Sequence, residues 1–155
     1  MDLETAKSLA RELWPPTARG GPGGELEWAI AQTLANQFAE EPLAVYGQPS
    51  EAAAWLLFES SIHRGEPQPG DGDGGVFNLR GWPLAGDAWR VELDSHGAML
   101  ALGRPGLLTR WSFSFQGEQL LEIEGEVALD KDPEPDQGER FARLLAGSVG
   151  WSTLR

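Results

Sequence analysis

The sequence contains no cysteine, only two histidines and no long apolar run, and each shortage excludes a class of chemistry. Without cysteine there is no disulfide, no thiolate nucleophile and no cysteine-ligated zinc, which is typical of a protein of the reducing cytoplasm. His63 and His96 leave little for general acid or base catalysis near neutral pH. No apolar run reaches the ~18 residues of a membrane-spanning helix, and acidic residues stand near the N-terminus where a signal peptide has basic ones. We therefore expect a cytoplasmic protein without a membrane partner.

Basic residues are also scarce, because 12 Lys and Arg stand against 24 Asp and Glu for a formal net charge of −12. This charge repels the phosphates of nucleic acids and anionic lipid headgroups. It favours a basic protein partner, although it also serves solubility alone. A chain of 155 residues with 41% hydrophobic side chains can bury one core, so a single domain over 1–155 is predicted.

The N-terminal half is predicted to be mainly helical. Apolar residues at three- and four-residue spacing indicate a helix over 3–14 and a longer one from Leu26 to Phe38. The alanine-rich segment 51–60, with Ser50 as its N-cap, predicts a third helix. A short strand is expected at 43–46.

Two glycine-rich segments, 15–24 and 65–75, are predicted to be flexible internal loops, because they offer few or no apolar side chains to a core. The second contains alternating aspartates at Asp71 and Asp73, a pattern that invites a calcium interpretation. The spacing of an EF-hand fails, since Trp82 occupies the position of its bidentate glutamate. We therefore predict neither a metal site nor a cofactor.

From residue 76 onward the apolar period changes to two, which indicates strands. Val76–Leu79 and the Trp82 region suggest one strand. A hairpin is predicted around the turn Asp94–Gly97, with Leu93 opposite Ala98.

Trp111, Phe113 and Phe115 occupy one face of the next predicted strand, and Leu121 and Ile123 occupy one face of the strand after it. Pairing Phe115 with Leu121 joins these apolar faces, and it sets Phe113 opposite Ile123 and Arg110 opposite Glu126. In the C-terminal helix, Asp136 and Glu139 have the spacing of a capping box.

These elements predict an α+β fold in which N-terminal helices pack on an antiparallel meander of four to six strands, followed by a C-terminal helix. The order of elements is similar to that of cone-shaped domains of the nuclear-transport-factor-2-like class. That resemblance implies a curved sheet that holds a small ligand or mediates dimerisation.

The candidate binding residues are a carboxylate ladder and unplaced tryptophans. Alternate residues of one strand share a face at a spacing of about 7 Å, which places three glutamates side by side. Of the seven tryptophans, three are assigned to the predicted core: Trp55, Trp89 and Trp111. The other four, which could anchor an interface, are Trp14, Trp28, Trp82 and Trp151. The predicted binding residues are Glu122, Glu124, Glu126, Trp82 and Trp14.

Two functions are compatible with these residues. The first is a non-catalytic acidic binding or assembly protein, which contacts a basic protein partner or a second copy of itself through a sheet face and aromatic anchors. The second is a small-ligand-binding or enzymatic domain with an aromatic-lined pocket in a curved sheet, using Tyr46 or one histidine as its polar group. No catalytic residue is predicted, because no nucleophile motif surrounds Ser61 and His63.

Overall fold

The computed structural model describes residues 1–14, 25–48, 53–69 and 75–151. The Cα positions divide the chain into two compact units, Met1–Pro83 and Leu84–Arg155. A single domain over the whole chain stays a prediction, and the predicted loop 15–24 lies outside the described residues.

The N-terminal unit contains two helices followed by a four-stranded antiparallel sheet in which neighbours in sequence are neighbours in space. Its elements are α1 (Leu3–Leu13), α2 (Glu25–Gln37), β1 (Ala44–Gln48), β2 (Ala53–Leu57), β3 (Ser61–Pro69) and β4 (Gly75–Pro83).

Both predicted N-terminal helices are confirmed. Asp2 caps α1 by accepting a hydrogen bond from the backbone N–H of Thr5 at 2.7 Å. Arg11 of α1 donates to the Glu27 carboxylate of α2 at 2.7 Å. The apolar faces of α1 and α2 form a core with β2. The buried residues of this core are Ala6, Ala10, Trp14, Ile30, Ala31, Leu34, Ala54 and Leu56.

The predicted helix over 51–60 is wrong, because Ala53–Leu57 is the strand β2. All five of its residues are buried, so the strand is covered on both faces. A strand of this kind is a continuous apolar run without alternation, and periodicity cannot separate it from a short buried helix. Ser50, its predicted N-cap, lies outside the described residues.

Part of the predicted loop 65–75 is also wrong. Residues 65–69 belong to β3, which pairs with β4 from Ser61↔Pro83 to Pro69↔Gly75; residues 70–74 lie outside the described part. Gly65 is required by packing, since a Cβ there would stand 2.7 Å from the Phe77 ring and 3.0 Å from the Trp14 ring. The strand expected over Val76–Leu79 and Trp82 is confirmed as β4.

The C-terminal unit contains a second four-stranded antiparallel sheet and one helix. The fold is therefore α+β, as predicted, with N-terminal helices and a C-terminal helix. The described strands form two separate sheets rather than one meander. The elements of this unit are β5 (Trp89–Met99), β6 (Pro105–Phe115), β7 (Glu118–Ala128), β8 (Glu134–Pro135) and α3 (Gln137–Ser148).

The predicted turn at Asp94–Gly97 is wrong, because β5 continues through it. Every residue of β5 pairs with β6, from Trp89↔Phe115 to Met99↔Pro105, and this long ladder outweighs the local turn preference. The chain reverses beyond β5, where Leu102 and Gly103 take positive φ values of 63° and 71°.

The apolar faces of β6 and β7 coincide, as predicted, but the register differs by two residues. Phe113 pairs with Leu121 instead of Ile123. Gln116 and Gly117 form a tight turn in which both φ values are positive. This turn alone would set Phe113 opposite Leu120. Leu120 is instead an extra, bulged residue of β7, which moves the pairing by one position. The bulge thereby restores the parity that joins the two apolar faces.

The C-terminal helix α3 is confirmed, and it packs against β7 and β8. Asp136 is its N-cap and accepts from the Glu139 N–H at 2.9 Å. The reciprocal half of the capping box is absent among the described contacts, because the Asp136 N–H donates to the Glu126 carbonyl at 2.9 Å and the Glu139 carboxylate turns inward.

Truncation of Phe113 should separate core from surface on the β6–β7 hairpin. Phe113 has no exposed surface, whereas Glu124 faces solvent. We expect Phe113→Ala to lower the free energy of unfolding by about 3–5 kcal/mol and Glu124→Ala by less than about 0.5 kcal/mol. Denaturant unfolding of both variants measures this, and the reverse ranking would contradict the assigned faces.

Candidate functional site

The side of the β5–β7 sheet that carries the even-numbered residues is exposed, and we call it the open face. The opposite side buries Trp111, Phe113, Leu121 and Ile123. Because successive side chains of a strand alternate, burial of this aromatic side directs the glutamates of β7 to the open face. The open face includes Arg90, Glu92, Asp94, His96, Leu108, Arg110, Ser112, Ser114, Glu122, Glu124 and Glu126.

Arg110 lies among the carboxylates of the open face. Its Nε is 3.0 Å from Glu122 Oε1, and its Nη2 is 3.5 Å from Glu124 Oε1. In the cross-strand register Arg110 stands between Asp94 and Glu124, not opposite Glu126 as predicted. Exposed ion pairs of this kind contribute little to stability, so a competing partner can replace them at small cost.

A groove of about 590 Å³ opens on this face, and charged side chains form most of its lining. Across the three strands, Glu126 of β7 is paired with Leu108 of β6, and Leu108 is paired with His96 of β5. Within the described residues, no basic side chain pairs with Glu126. The lining side chains of the open face are Asp94, His96, Leu108, Arg110, Glu124 and Glu126, with Asp136 at the margin.

The acidic segment beyond β7 is held beside this groove by Arg104. Its Nε and Nη2 donate to the two carboxylate oxygens of Asp130 at 3.0 and 2.9 Å, and Nη2 lies 3.4 Å from Glu134. The hydrogen bond from Arg104 and its charge hold the pKa of Asp130 below its ordinary value. Arg104 thus fixes the path of the chain toward Asp136.

The tryptophans named as anchors belong to the N-terminal unit, and the carboxylate ladder belongs to the C-terminal unit. Trp14 is only 1% exposed and packs edge-on against Phe77, so it is a core residue rather than a surface anchor. Trp82 is half-buried, stacks on Trp55 with ring centroids 5.5 Å apart, and lies beneath the Arg80 guanidinium. Trp28, which was not predicted as an anchor, is 58% exposed.

The two histidines lie in strands of different units. His63 lies in β3, with its Nε2 3.0 Å from Ser61 Oγ and its ring against Phe38 and Phe58. Burial among these rings lowers its pKa. His96 lies in β5 and lines the groove. Among the described residues, no third group hydrogen-bonds to His63 and orients its imidazole, as a catalytic triad requires.

A buried carboxylate that was not predicted from the sequence lies at the base of α3. Glu139 is 2% exposed, and its Oε2 accepts hydrogen bonds from the Thr109 hydroxyl and from Trp111 Nε1, the latter at 2.8 Å. Its Oε1 accepts from Arg143 Nε at 2.9 Å. Gly125 makes room for this arrangement, since a Cβ there would stand 2.6 Å from Glu139 Oε2.

This network joins α3 to the sheet. A buried carboxylate is costly unless it is paired and hydrogen-bonded, and both oxygens of Glu139 have donors. The signal in the sequence was Thr109, a polar residue on the strand face that also carries Trp111 and Phe113. Because all its bonds are internal, we assign Glu139 a structural role.

The described residues contain no cluster of three or more histidines and carboxylates suited to a metal ion. Residues 70–74, which include both aspartates of the calcium-like pattern, lie outside them. No helix of the described part has the length and apolar character needed to cross a membrane. Comparison with protein-family models, with curated proteins and with solved structures finds no match to this chain.

Removal of the buried carboxylate should be far more damaging than removal of its exposed neighbour. Glu139→Ala leaves the Trp111 N–H and the Thr109 hydroxyl buried without their acceptor, so we expect a loss of about 2–4 kcal/mol in the free energy of unfolding. Arg140→Ala, one residue on and exposed, should cost less than about 0.5 kcal/mol. Equal losses measured by denaturant unfolding would refute the network.

His63 should make stability depend on pH in the acidic range. Its pKa in the folded protein lies below the ordinary 6.5 because the ring is partly buried. As pH falls below about 6.5 the unfolded chain therefore takes up this proton first, and stability declines until the folded-state pKa is passed. Above that range the group has no effect. Denaturant unfolding at pH 7.5 and 5 should show a smaller acid loss in His63→Gln, and an unchanged loss would contradict this assignment.

Proposed function

We propose that the protein is a non-catalytic binding protein, and that the open face of its second sheet binds a basic segment of a partner protein. The observation that carries the proposal is the position of Glu126 and Asp94 in a groove of about 590 Å³, beside Glu122 and Glu124. Lysine or arginine side chains would enter this groove as counterions. Leu108 offers an apolar floor for their aliphatic stems.

The arrangement of Arg110 supports a binding role over a purely solubilising one. Its guanidinium already pairs with Glu122 and Glu124, which keeps the ladder from repelling itself in the free protein. A partner's arginine can take over these carboxylates while Arg110 turns toward Asp94 on the other side of its row. Such exchange of exposed ion pairs costs little, so the encounter is governed by charge.

The alternative function, a small-ligand-binding or enzymatic domain, has less support at this site. Among the described residues, the groove lining contains no Phe, Tyr or Trp, and its one histidine is His96. In the part of the chain that the structure describes, no hydroxyl group hydrogen-bonds to His96. A measured turnover that disappears in His63→Ala/His96→Ala would favour the enzymatic function instead.

The test compares two variants with the same change in net charge. In the ladder variant Glu122, Glu124 and Glu126 become Gln; in the control variant the exposed Glu40, Glu41 and Glu59 become Gln. Binding to an immobilised decalysine peptide is followed by surface plasmon resonance at about 20 and 200 mM salt.

We expect the ladder variant to bind with an on-rate about tenfold lower at low salt, whereas the control variant stays close to wild type, because steering depends on local charge. Added salt should reduce the wild-type rate toward that of the ladder variant. Equal losses in both variants would mean that only net charge matters, and the proposal would be lost.

A further inference from the structure

The free edge of the second sheet is a long, regular strand, and charged side chains are the one usual protection that it carries. β5 has 11 residues, pairs with β6 along its whole length without a bulge, and contains neither proline nor lysine. Natural sheets protect exposed edges with short strands, prolines, bulges or lysines, because an open edge can pair with another chain. At the opposite edge the two-residue β8 with Pro135 covers only Val127 and Ala128 of β7. The rest of β7 contains the bulge and four glutamates.

The hydrogen bonds at both ends of the β5–β6 ladder show which backbone groups face the edge. The Ala88 carbonyl accepts from the Gln116 N–H at 2.9 Å, and the Leu100 N–H donates to the Arg104 carbonyl at 2.7 Å. Even-numbered residues of β5 therefore direct their backbone groups to β6. Odd-numbered residues such as Val91 direct theirs to the open edge. Of the strands that the structure describes, none pairs with this edge.

We propose that this edge pairs with the β5 edge of a second copy of the chain, antiparallel and with Val91 opposite the partner's Val91. The two central valines would exchange N–H···O bonds. The same register sets Arg90 opposite the partner's Glu92 and Trp89 opposite the partner's Leu93. A two-fold axis repeats both pairs, as in an isologous dimer.

Charge excludes the two-fold axes at residues 90, 92, 93 and 94. On β6 the neighbours of Arg90 and Glu92 are the uncharged Ser114 and Ser112. A two-fold axis at residue 90 or 92 would set Arg90 or Glu92 opposite itself, and an axis at residue 93 or 94 would bring Glu92 or Asp94 against a carboxylate. Like charges directly opposite one another destabilise a strand pair.

Apolar packing separates the Val91 register from an axis at Ser95, which also avoids like charges. The Ser95 axis pairs Val91–Met99 and sets Leu93 opposite Gly97, whereas the Val91 axis pairs the shorter segment Trp89–Leu93 and leaves residues 94–99 beyond the partner's β5. The Val91 axis instead brings Trp89, Val91 and Leu93 of both copies together on one side of the sheet. Leu93 is 36% exposed, although its side chain lies on the apolar side of the strand. A second copy would cover this surface.

The first experiment is a charge swap followed by sedimentation equilibrium between about 5 and 500 µM protein. Arg90→Glu or Glu92→Arg alone places like charges opposite one another, and we expect either to raise the dissociation constant of the dimer about tenfold or more. The double variant restores opposite charges and should return within about threefold of wild type. A monomeric wild type at every concentration, or a double variant as weak as the single ones, would overturn the proposal.

The second experiment uses the absence of cysteine, which makes any introduced thiol unique. Opposed residues of a hydrogen-bonded antiparallel pair have Cα atoms about 5.5 Å apart, within the range of a disulfide. Under mild oxidation, Val91→Cys should form a covalent dimer, whereas Ser95→Cys and the exposed helix control Ser148→Cys should form far less. Preferential linkage of Ser95→Cys would refute the Val91 register. Because none of these changes alters Glu122, Glu124 or Glu126, the outcome is independent of the proposed binding of a basic partner.

Discussion

The parity of the β6–β7 pairing decides which side chains of the C-terminal unit meet solvent. Trp111 and Phe113 must be buried, and their strand neighbours follow by alternation. The tight turn at Gln116 and Gly117 would by itself place these aromatic residues on the same side as the glutamates. The extra residue at Leu120 reverses that parity. The open face with its carboxylates therefore depends on a single bulge.

The sequence was sufficient where a periodic pattern was long and one-sided. It predicted α1, α2, α3 and the apolar faces of β6 and β7, because burial of one face imposes the period directly. It failed at β2, which is buried on both faces and has no period to detect. It also failed at Gly65 and Gly97, where glycine serves packing or a continuous strand instead of a turn.

Of the candidate site, the carboxylate ladder could be predicted but its surroundings could not. Glu122, Glu124 and Glu126 share a face by strand geometry alone. Their neighbours Arg110, Asp94 and His96 depend on a register set by the bulge and by the length of β5, and neither feature has a local signature. Glu139 was assigned to a helix cap from its spacing, but long-range donors on β6 determine its position.

The C-terminal unit uses carboxylates in two physically different ways. Glu139 is buried, fully hydrogen-bonded and paired with Arg143, so it joins helix to sheet. The ladder is exposed and only partly neutralised by Arg110, so its charge acts on molecules that approach the open face. The proposed binding function rests on the second group, whose charge remains available to a partner.

Amide chemical-shift mapping with a decalysine peptide would test this account most directly. The largest shifts should fall on the even-numbered residues of β6 and β7 around Arg110 and Glu124, and at His96 of β5, with saturable behaviour that weakens as salt is added. Shifts spread evenly over the acidic residues of both units, or centred away from the open face, would contradict the account.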